Sequence, residues 1–432
     1  MSPRSRINLV AIGVISSALA LSVISYQLSD SSISFGEVDE QNYHLPAIRQ
    51  FAEGSLVQNL GDYPSTTFPT YHLLMAWLLN ISGGSVVFLR LANAAISAFA
   101  AYLFFRLVYK KYGVPASSAA ALLLAFVLNP TYRGAAAYLM TDTLPIAFLL
   151  LSLWFLHSDP QDGSSVDMDA SRAQVGIRAG AAFIAGVAAF YSRQFYAWVP
   201  VYVFATLVLR HRTMRWRVSL SLGAAVSLIP GIYLFWLWGG VTQPKYQFFQ
   251  GAPINLSSIV YAVSFVPVLL FPLLIVRINE FRRLDRVEHG DVLRKAIHWA
   301  SAIAALAVVG GIVAWRLGEA LPSLSGGLLL KLGERVPEPV GVLLVWLAAA
   351  IGVAMIVDWV RRDGAQNLWW ILVLASFGPS VVLFQRYFEP VVLVVAFLIA
   401  APSAADRVYR SQLIWLFPAF EFAYSVGRLI VH

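Results

Sequence analysis

Apolar residues in this chain fall in runs of about 18 to 22 positions divided by short charged stretches, the length a helix needs to cross a bilayer's hydrocarbon layer. The pattern predicts an all-α polytopic membrane protein with about 13 transmembrane helices. The first covers residues 8–28 and the second 85–108. Later ones fall near 113–130, 143–157, 177–192, 195–209, 218–238, 256–276, 296–315, 339–359, 367–384, 390–405 and 411–430. Between the first two runs lies a long polar excursion from Ser29 to about Pro69. The apolar stretch that follows, Thr70 to Ile81, is too short to cross and is expected to lie at the interface as a helix. Residues 1–432 are read as a single integral membrane domain, with 29–82 as its first extracytoplasmic loop carrying interfacial helices. No fixed-period repeat and no low-complexity segment is evident. Arg4 and Arg6 ahead of the first run resemble a secretory signal, but the run is longer than a signal's apolar core and lacks an A-x-A-like end. It is read as a retained span.

Composition agrees with this reading: 59% of the 432 residues are hydrophobic and 12% charged, about half the charge of a soluble domain. A soluble enzyme, a nucleic-acid binder and a disordered scaffold are excluded together. The formal charge of +8 does not point to nucleic acid, because the basic residues flank the apolar runs and do not form one continuous face. With no cysteine, disulfides, thiol catalysis and cysteine-ligated metals are absent.

With the N-terminus in the cytoplasm, 21 of the 31 Lys and Arg residues fall on the cytoplasmic side, among them Lys110, Lys111, the Arg210–Arg217 cluster, Arg277–Lys295, Arg361 and Arg362. The opposite frame reverses that excess. The Ser29–Pro69 loop then lies outside, with Thr131–Asp142, Arg193 and Gln194, Trp238–Leu256, Arg316–Pro339 and Gln385–Pro390. The His157–Arg178 loop, assigned inside, carries Asp159, Asp162, Asp167 and Asp169, but acidic residues count little in this rule. That loop and the Ser323–Pro339 stretch are expected to be the most mobile pieces.

The outer loop opens with Glu37, Asp39 and Glu40 close to the end of the first span, followed by His44 and a helix-like stretch from Leu45 to Glu53. In a helix, Glu40 and His44 share a face at i, i+4 while Asp39 points about 100° away. Ordinary solvated loop charges would look the same. What favours a site is that other ionisable groups recur at outer span ends: Arg90, Arg133, Asp142, Arg193, Lys245 and Arg386. Each has a structural alternative. Asp142 can cap the following helix, Arg193 with Gln194 can mark a turn at the interface, and Arg386 with Tyr387 can form an interfacial anchor before a proline helix start. His72 is expected to pack on the interfacial helix and to bind nothing.

One carboxylate set with several cations at a membrane surface suits transfer of a sugar from a lipid phosphate. The departing phosphate needs no proton from an acid, and its developing charge is stabilised by Arg or Lys. The acceptor hydroxyl is a weak nucleophile and needs a carboxylate to take its proton. A single displacement inverts the anomeric centre, whereas a glycoside hydrolase needs two carboxyl groups flanking the bond.

The loop sequence Asp39-Glu40-Gln41-Asn42-Tyr43-His44-Leu45-Pro46, then Glu53-Gly54 and Asp62-Tyr63-Pro64-Ser65-Thr66-Thr67-Phe68-Pro69, resembles the first lumenal loop of the dolichyl-phosphate-glucose α-1,2-glucosyltransferases. Thr141-Asp142, Arg193-Gln194 and Arg386-Tyr387 look like that family's pattern too. More broadly the architecture is similar to the GT-C superfamily of polyprenyl-phosphate-sugar transferases, which includes the protein mannosyltransferases and the lipid A aminoarabinose transferase. The similarity spans most of the chain as topology but only about 40 to 50 residues as motif.

The resemblance implies an inverting hexosyltransferase, with Asp39 as the first candidate for the base and Glu40 the second. It implies that Arg193, Lys245 and Arg386 hold the donor phosphate. His44, Asp142, Gln194 and Tyr387 join the substrate-binding set, with Glu40 and His44 orienting the base or the acceptor. The implied partners are a polyprenyl-phosphate sugar donor, a glycan or lipid-linked acceptor and membrane lipids, with no nucleic acid. No cofactor is expected; a divalent ion near the carboxylates is compatible with the chemistry and is not required by it. The loop from Gly239 to Gly251 has only Lys245 as a cation, where the eukaryotic enzymes are richer. The Ala-rich, cysteine-free composition looks prokaryotic, so the expected setting is a prokaryotic plasma membrane with an undecaprenyl or decaprenyl donor, and glucose rests on kinship alone. Two other readings stand beside this one: a transporter or flippase for a lipid-linked sugar, and a noncatalytic membrane subunit. Against transport, ionisable groups lie at span ends and not at midspan, and no matching halves are visible.

Overall fold

The computed structural model describes residues 11–16, 35–54, 56–113, 116–157, 168–210, 213–247, 255–287, 305, 309–312, 335–380 and 387–431. Among these residues every regular element is helical, as the apolar pattern predicts. In chain order the α-helices are α1 Phe35–Asp39, α2 Leu45–Glu53, α3 Leu56–Gly61, α4 Thr70–Ile81, α5 Val86–Tyr112, α6 Ala116–Leu128, α7 Pro130–Ala137 and α8 Thr143–His157. They continue with α9 Met168–Ser192, α10 Trp198–Arg210, α11 Met214–Trp238, α12 Leu256–Leu269, α13 Phe271–Val287 and α14 Glu338–Asp363. The last are α15 Trp369–Ala375, α16 Glu389–Val394, α17 Ser403–Tyr409 and α18 Leu416–Val431.

Four helical stretches among the described residues are long and apolar enough to cross a membrane: Val86–Tyr112, Gln174–Ser192, Trp216–Trp238 and Glu338–Asp363. Two bent pairs add to these. Leu256–Leu269 and Phe271–Glu280 meet at 66°, and Glu389–Ile399 and Ser403–Tyr409 at 98°. Both bends have local causes. Pro272 has no N–H to donate to the carbonyl of Val268, so the run over 256–276 breaks at Leu270. The run over 390–405 breaks where Ala401 takes a positive φ of 41° just before Pro402. The runs at 113–130, 143–157 and 195–209 form helices of 13, 15 and 13 residues. The run at 411–430 starts as a 3-10 turn, Gln412–Trp415, before the 16 residues of α18. Most of the first run and of 296–315, the acidic residues Asp159, Asp162 and Asp167, and most of Ser323–Pro339 lie outside the described residues.

The chain divides into two compact units. One comprises Met1–Leu107 with Tyr132–Gly251, and the other Val108–Thr131 with Ala252–His432. In the first, α2 packs on α4, whose 12 residues coincide with the predicted Thr70–Ile81. Ile48, Tyr71, Met75, Ala76, Leu79, Leu89, Leu139 and Leu144 close one core there. A second core joins Ala47, Tyr63 and Phe68 to Leu234 and Trp238 at the end of α11. Phe68 stacks on Trp238 at 6.0 Å and meets Phe190 edge-on at 5.1 Å, aromatic contacts each worth about 0.5–1.5 kcal/mol beyond burial. The indole of Trp238 donates to the Leu60 carbonyl at 2.9 Å. The polar loop is thereby pinned to a spanning helix. On α11, Leu222, Val226, Ile229 and Trp236 remain exposed, an apolar face suited to acyl chains.

In the second unit α12 packs on α14, and α6 on α18. Arg277 of α13 is held by Asp358 of α14 at 2.6 Å and by Glu280, which also accepts from Arg407 of α17 at 2.5 Å.

Candidate active site

Helix α1 runs without interruption into a π-helical turn, Glu40–His44, closed by the Leu45 amide donating to the Glu40 carbonyl. Pro46 lacks the N–H that a continuous α-helix would direct at Asn42, and the wider turn absorbs that loss. Glu40 and His44 both turn inward, with 1% and 8% of their surface exposed, while Asp39 stays half-buried. The shared face expected of Glu40 and His44 exists, built with π rather than α spacing.

The Glu40 carboxylate is saturated. Arg90 of α5 donates through Nη2 and Nε to Oε1 at 2.5 and 3.0 Å, and the Leu139 amide donates to Oε2 at 2.9 Å. This fork with a backbone donor is strong, charge-assisted bonding. Glu40 therefore anchors the first loop to α5 and to the turn at 138–143, and Asp39 is its more accessible neighbour.

That 138–143 turn gathers the rest of the polar set. Asn93, fully buried on α5, donates from Nδ2 to the carbonyls of Ala135, Ala136 and Tyr138 at 2.8, 3.2 and 2.7 Å. Its Oδ1 accepts from Thr143 at 3.0 Å and Tyr71 at 3.2 Å. Two residues beyond Leu139, Thr141 accepts from Arg193 Nη1 at 3.1 Å, and Asp142 forms an ion pair with the same nitrogen. Asp142 and Arg193 are both buried. Arg193 has extended backbone and precedes a 3-10 turn, Gln194–Tyr196, as a turn marker would, yet its guanidinium is committed to Asp142. Tyr71 lies close enough to both Glu40 and Asp142 that each carboxylate adds to the upward pKa shift caused mainly by its burial.

Gln194 Nε2 donates to the carbonyls of Thr66 and Val241 at 3.1 and 3.3 Å, tying the first loop to the 239–247 loop. Lys245 is exposed on a 3-10 turn, Pro244–Tyr246, with Nζ 5.9 Å from the Tyr246 ring. Tyr246 is raised in pKa first by burial, then by Tyr43 and Asp62, which places that turn beside the first loop. Arg386 lies outside the described residues. Tyr387 is buried in the second unit, two positions before Glu389, whose Oε2 accepts from Thr131 at 2.7 Å.

His72 is fully buried and packed on α4, and it also carries hydrogen bonds that the sequence did not specify: Nε2 lies 3.0 Å from His44 Nδ1 and Nδ1 lies 2.5 Å from the Tyr63 hydroxyl. Burial lowers its pKa to about 3. Tyr63 and Asn93 were not singled out from the sequence as site residues. A signal existed, because a histidine or asparagine inside an otherwise apolar helix must find partners when buried. Among the described residues no group of three or more His, Asp or Glu could hold a metal ion.

The helices and this buried polar set define an all-helical, polytopic integral membrane protein. No protein-family model and no curated protein matches the chain. Among solved structures, ArnT from Cupriavidus metallidurans in the apo state is similar at 16% identity, over 99% of this chain and 76% of that one, with a TM-score of 0.40. The structure of the same protein bound to undecaprenyl phosphate gives the same identity and coverage with a TM-score of 0.38.

Proposed function

We propose that this protein is an inverting glycosyltransferase of the GT-C kind, moving a hexose from a polyprenyl phosphate to a hydroxyl of a glycan or lipid-linked glycan on the extracytoplasmic side. The observation that carries the reading is the difference in exposure between adjacent carboxylates: Glu40 is buried and held by Arg90 and the Leu139 amide, and Asp39, just before the π-turn, is half-buried. Asp39 takes the proton of the acceptor hydroxyl as its oxygen attacks the anomeric carbon. The carbon–oxygen bond to the phosphate breaks, its electron pair leaves with the polyprenyl phosphate, and the configuration inverts. Lys245 and Arg193, both of the first unit, are assigned to the phosphate, with Arg193 also tied to Asp142, and Gln194 joins them in the substrate-binding set. Glucose is the hexose suggested by the loop motif, and an undecaprenyl or decaprenyl phosphate the carrier suggested by composition.

Mass spectrometry of surface glycans and polyprenyl-linked sugars, in cells with and without the gene, tests the assignment. Loss of one hexose from a glycan, with its polyprenyl-linked form retained, is expected. An unchanged inventory overturns the reading, and accumulation of the lipid-linked sugar on the cytoplasmic face alone favours a flippase.

A further inference from the structure

Helix α11 carries Pro230 in its interior, and proline has no N–H for the Val226 carbonyl and crowds it with its ring. Next to that gap, Tyr191 at the end of α9 places its hydroxyl between the Gly231 amide and the Ser227 carbonyl, two groups that a regular α-helix pairs with each other. The Gly231 amide donates to Tyr191 Oη at 2.8 Å, and the Tyr191 hydroxyl donates to the Ser227 carbonyl at 2.5 Å. A phenol is both donor and acceptor, so one hydroxyl serves both backbone groups. The Ser227 side chain does not take this place, since its own hydroxyl donates to the Ala224 carbonyl at 2.8 Å. Gly231 leaves the room: a Cβ there would stand 3.1 Å from Tyr191 Oη. In a spanning helix backbone groups freed by a proline need such a partner, because hydrocarbon offers none.

The Tyr191 ring reaches the first loop as well, with its centroid 5.4 Å from Phe68 and 5.0 Å from Phe190. Beyond the interrupted turn, Phe235 and Trp238 of α11 stack on the same Phe68 at 5.8 and 6.0 Å. From Trp238 the chain enters the 239–247 loop with Lys245, and two residues after Tyr191 stands Arg193. A helix bends most easily where a proline and an inserted side chain interrupt its ladder, so the angle of residues 231–238 to α9 is set at this turn.

We propose that Tyr191 is a positioning residue: its hydroxyl pins the proline turn of α11 to the end of α9 and so fixes the spacing between Arg193 on one side and Lys245 on the other. The consequence for donor binding rests on the function proposed above; the pin itself does not.

The test uses Tyr191→Phe, which keeps the ring against Phe68 and removes only the hydroxyl. Hydrogen–deuterium exchange of the full-length protein in detergent micelles should be about 2- to 10-fold faster over residues 227–238, the effect of one hydrogen bond, with Thr143–His157 exchanging as in the parent. Unchanged exchange over 227–238, or an equal rise throughout the protein, overturns the pin. With undecaprenyl-phosphate-linked glucose as the probe donor, Tyr191→Phe should raise the donor KM about 2- to 10-fold with kcat little changed. Combined with Lys245→Ala, it should raise KM by less than the product of the two separate effects; effects that multiply overturn the positioning role. If the parent protein does not transfer from that donor, the proposed function fails while the exchange still decides the pin.

Discussion

The Glu40 carboxylate and the Arg90 guanidinium, fifty positions apart in sequence, meet at 2.5 Å with Glu40 buried and Arg90 30% exposed at its side chain. Replacing Glu40 with Gln should leave Arg90 short of a charge partner and lower stability by about 1–3 kcal/mol, less than a wholly buried pair because water reaches Arg90. Thermal unfolding in detergent measures this. The companion Arg90→Met change made together with Glu40→Gln should cost less than the two separate losses combined, and strict additivity would mean the pair contributes nothing.

Asp39→Asn should leave the fold and the unfolding midpoint of the parent intact while reducing transfer by about 10²- to 10⁴-fold, the usual contribution of a general base. The measurement is turnover of a purified variant with polyprenyl-phosphate-linked hexose. Parent-like turnover removes Asp39 from the mechanism.

Asp142 and Arg193 are buried on both sides of their ion pair, so removing either alone should destabilise by about 3–5 kcal/mol. Asp142→Asn combined with Arg193→Met should recover part of that loss. If Arg193→Met alone unfolds at the parent's midpoint yet raises the donor KM, Arg193 serves the phosphate and not Asp142.

His72 titrates at about 3 in the folded protein against 6.5 for the free side chain, so between those values the unfolded chain binds more protons. Its contribution to stability is therefore full above about 6.5 and is lost as pH falls toward 3. The groups facing it are His44 from the π-turn, Tyr63 from the loop and Tyr71 alongside, with Glu40 and Asp142 beyond Tyr71. The unfolding midpoint of the parent should fall more steeply between pH 7 and pH 4 than that of His72→Gln. Parallel curves would contradict the assigned burial.

Gly36 sits where a Cβ would come within 2.5 Å of the Tyr138 ring. Gly36→Ala should push α1 away from the 138–143 turn and cost about 1–3 kcal/mol, with a matching loss of turnover as Glu40 leaves the Leu139 amide. Unchanged unfolding would show that the ring can move aside freely.

The helical class, the helix at Thr70–Ile81, the helix at Leu45–Glu53 and the shared face of Glu40 and His44 were all legible in the sequence. Hydrophobic run length and residue spacing act locally, so the apolar pattern carries the helices. The π-turn was not legible, since it depends on one proline and on a carboxylate that has to turn inward to reach Arg90. Nor were the partners of His72, Asn93 and Arg193, which come from segments 28, 45 and 51 positions away. Local pattern states that a buried polar group must be satisfied; only the packing of distant helices decides which atom satisfies it. That is why the acidic pair could be singled out from the sequence, and why the difference in burial between Asp39 and Glu40 needed the tertiary structure.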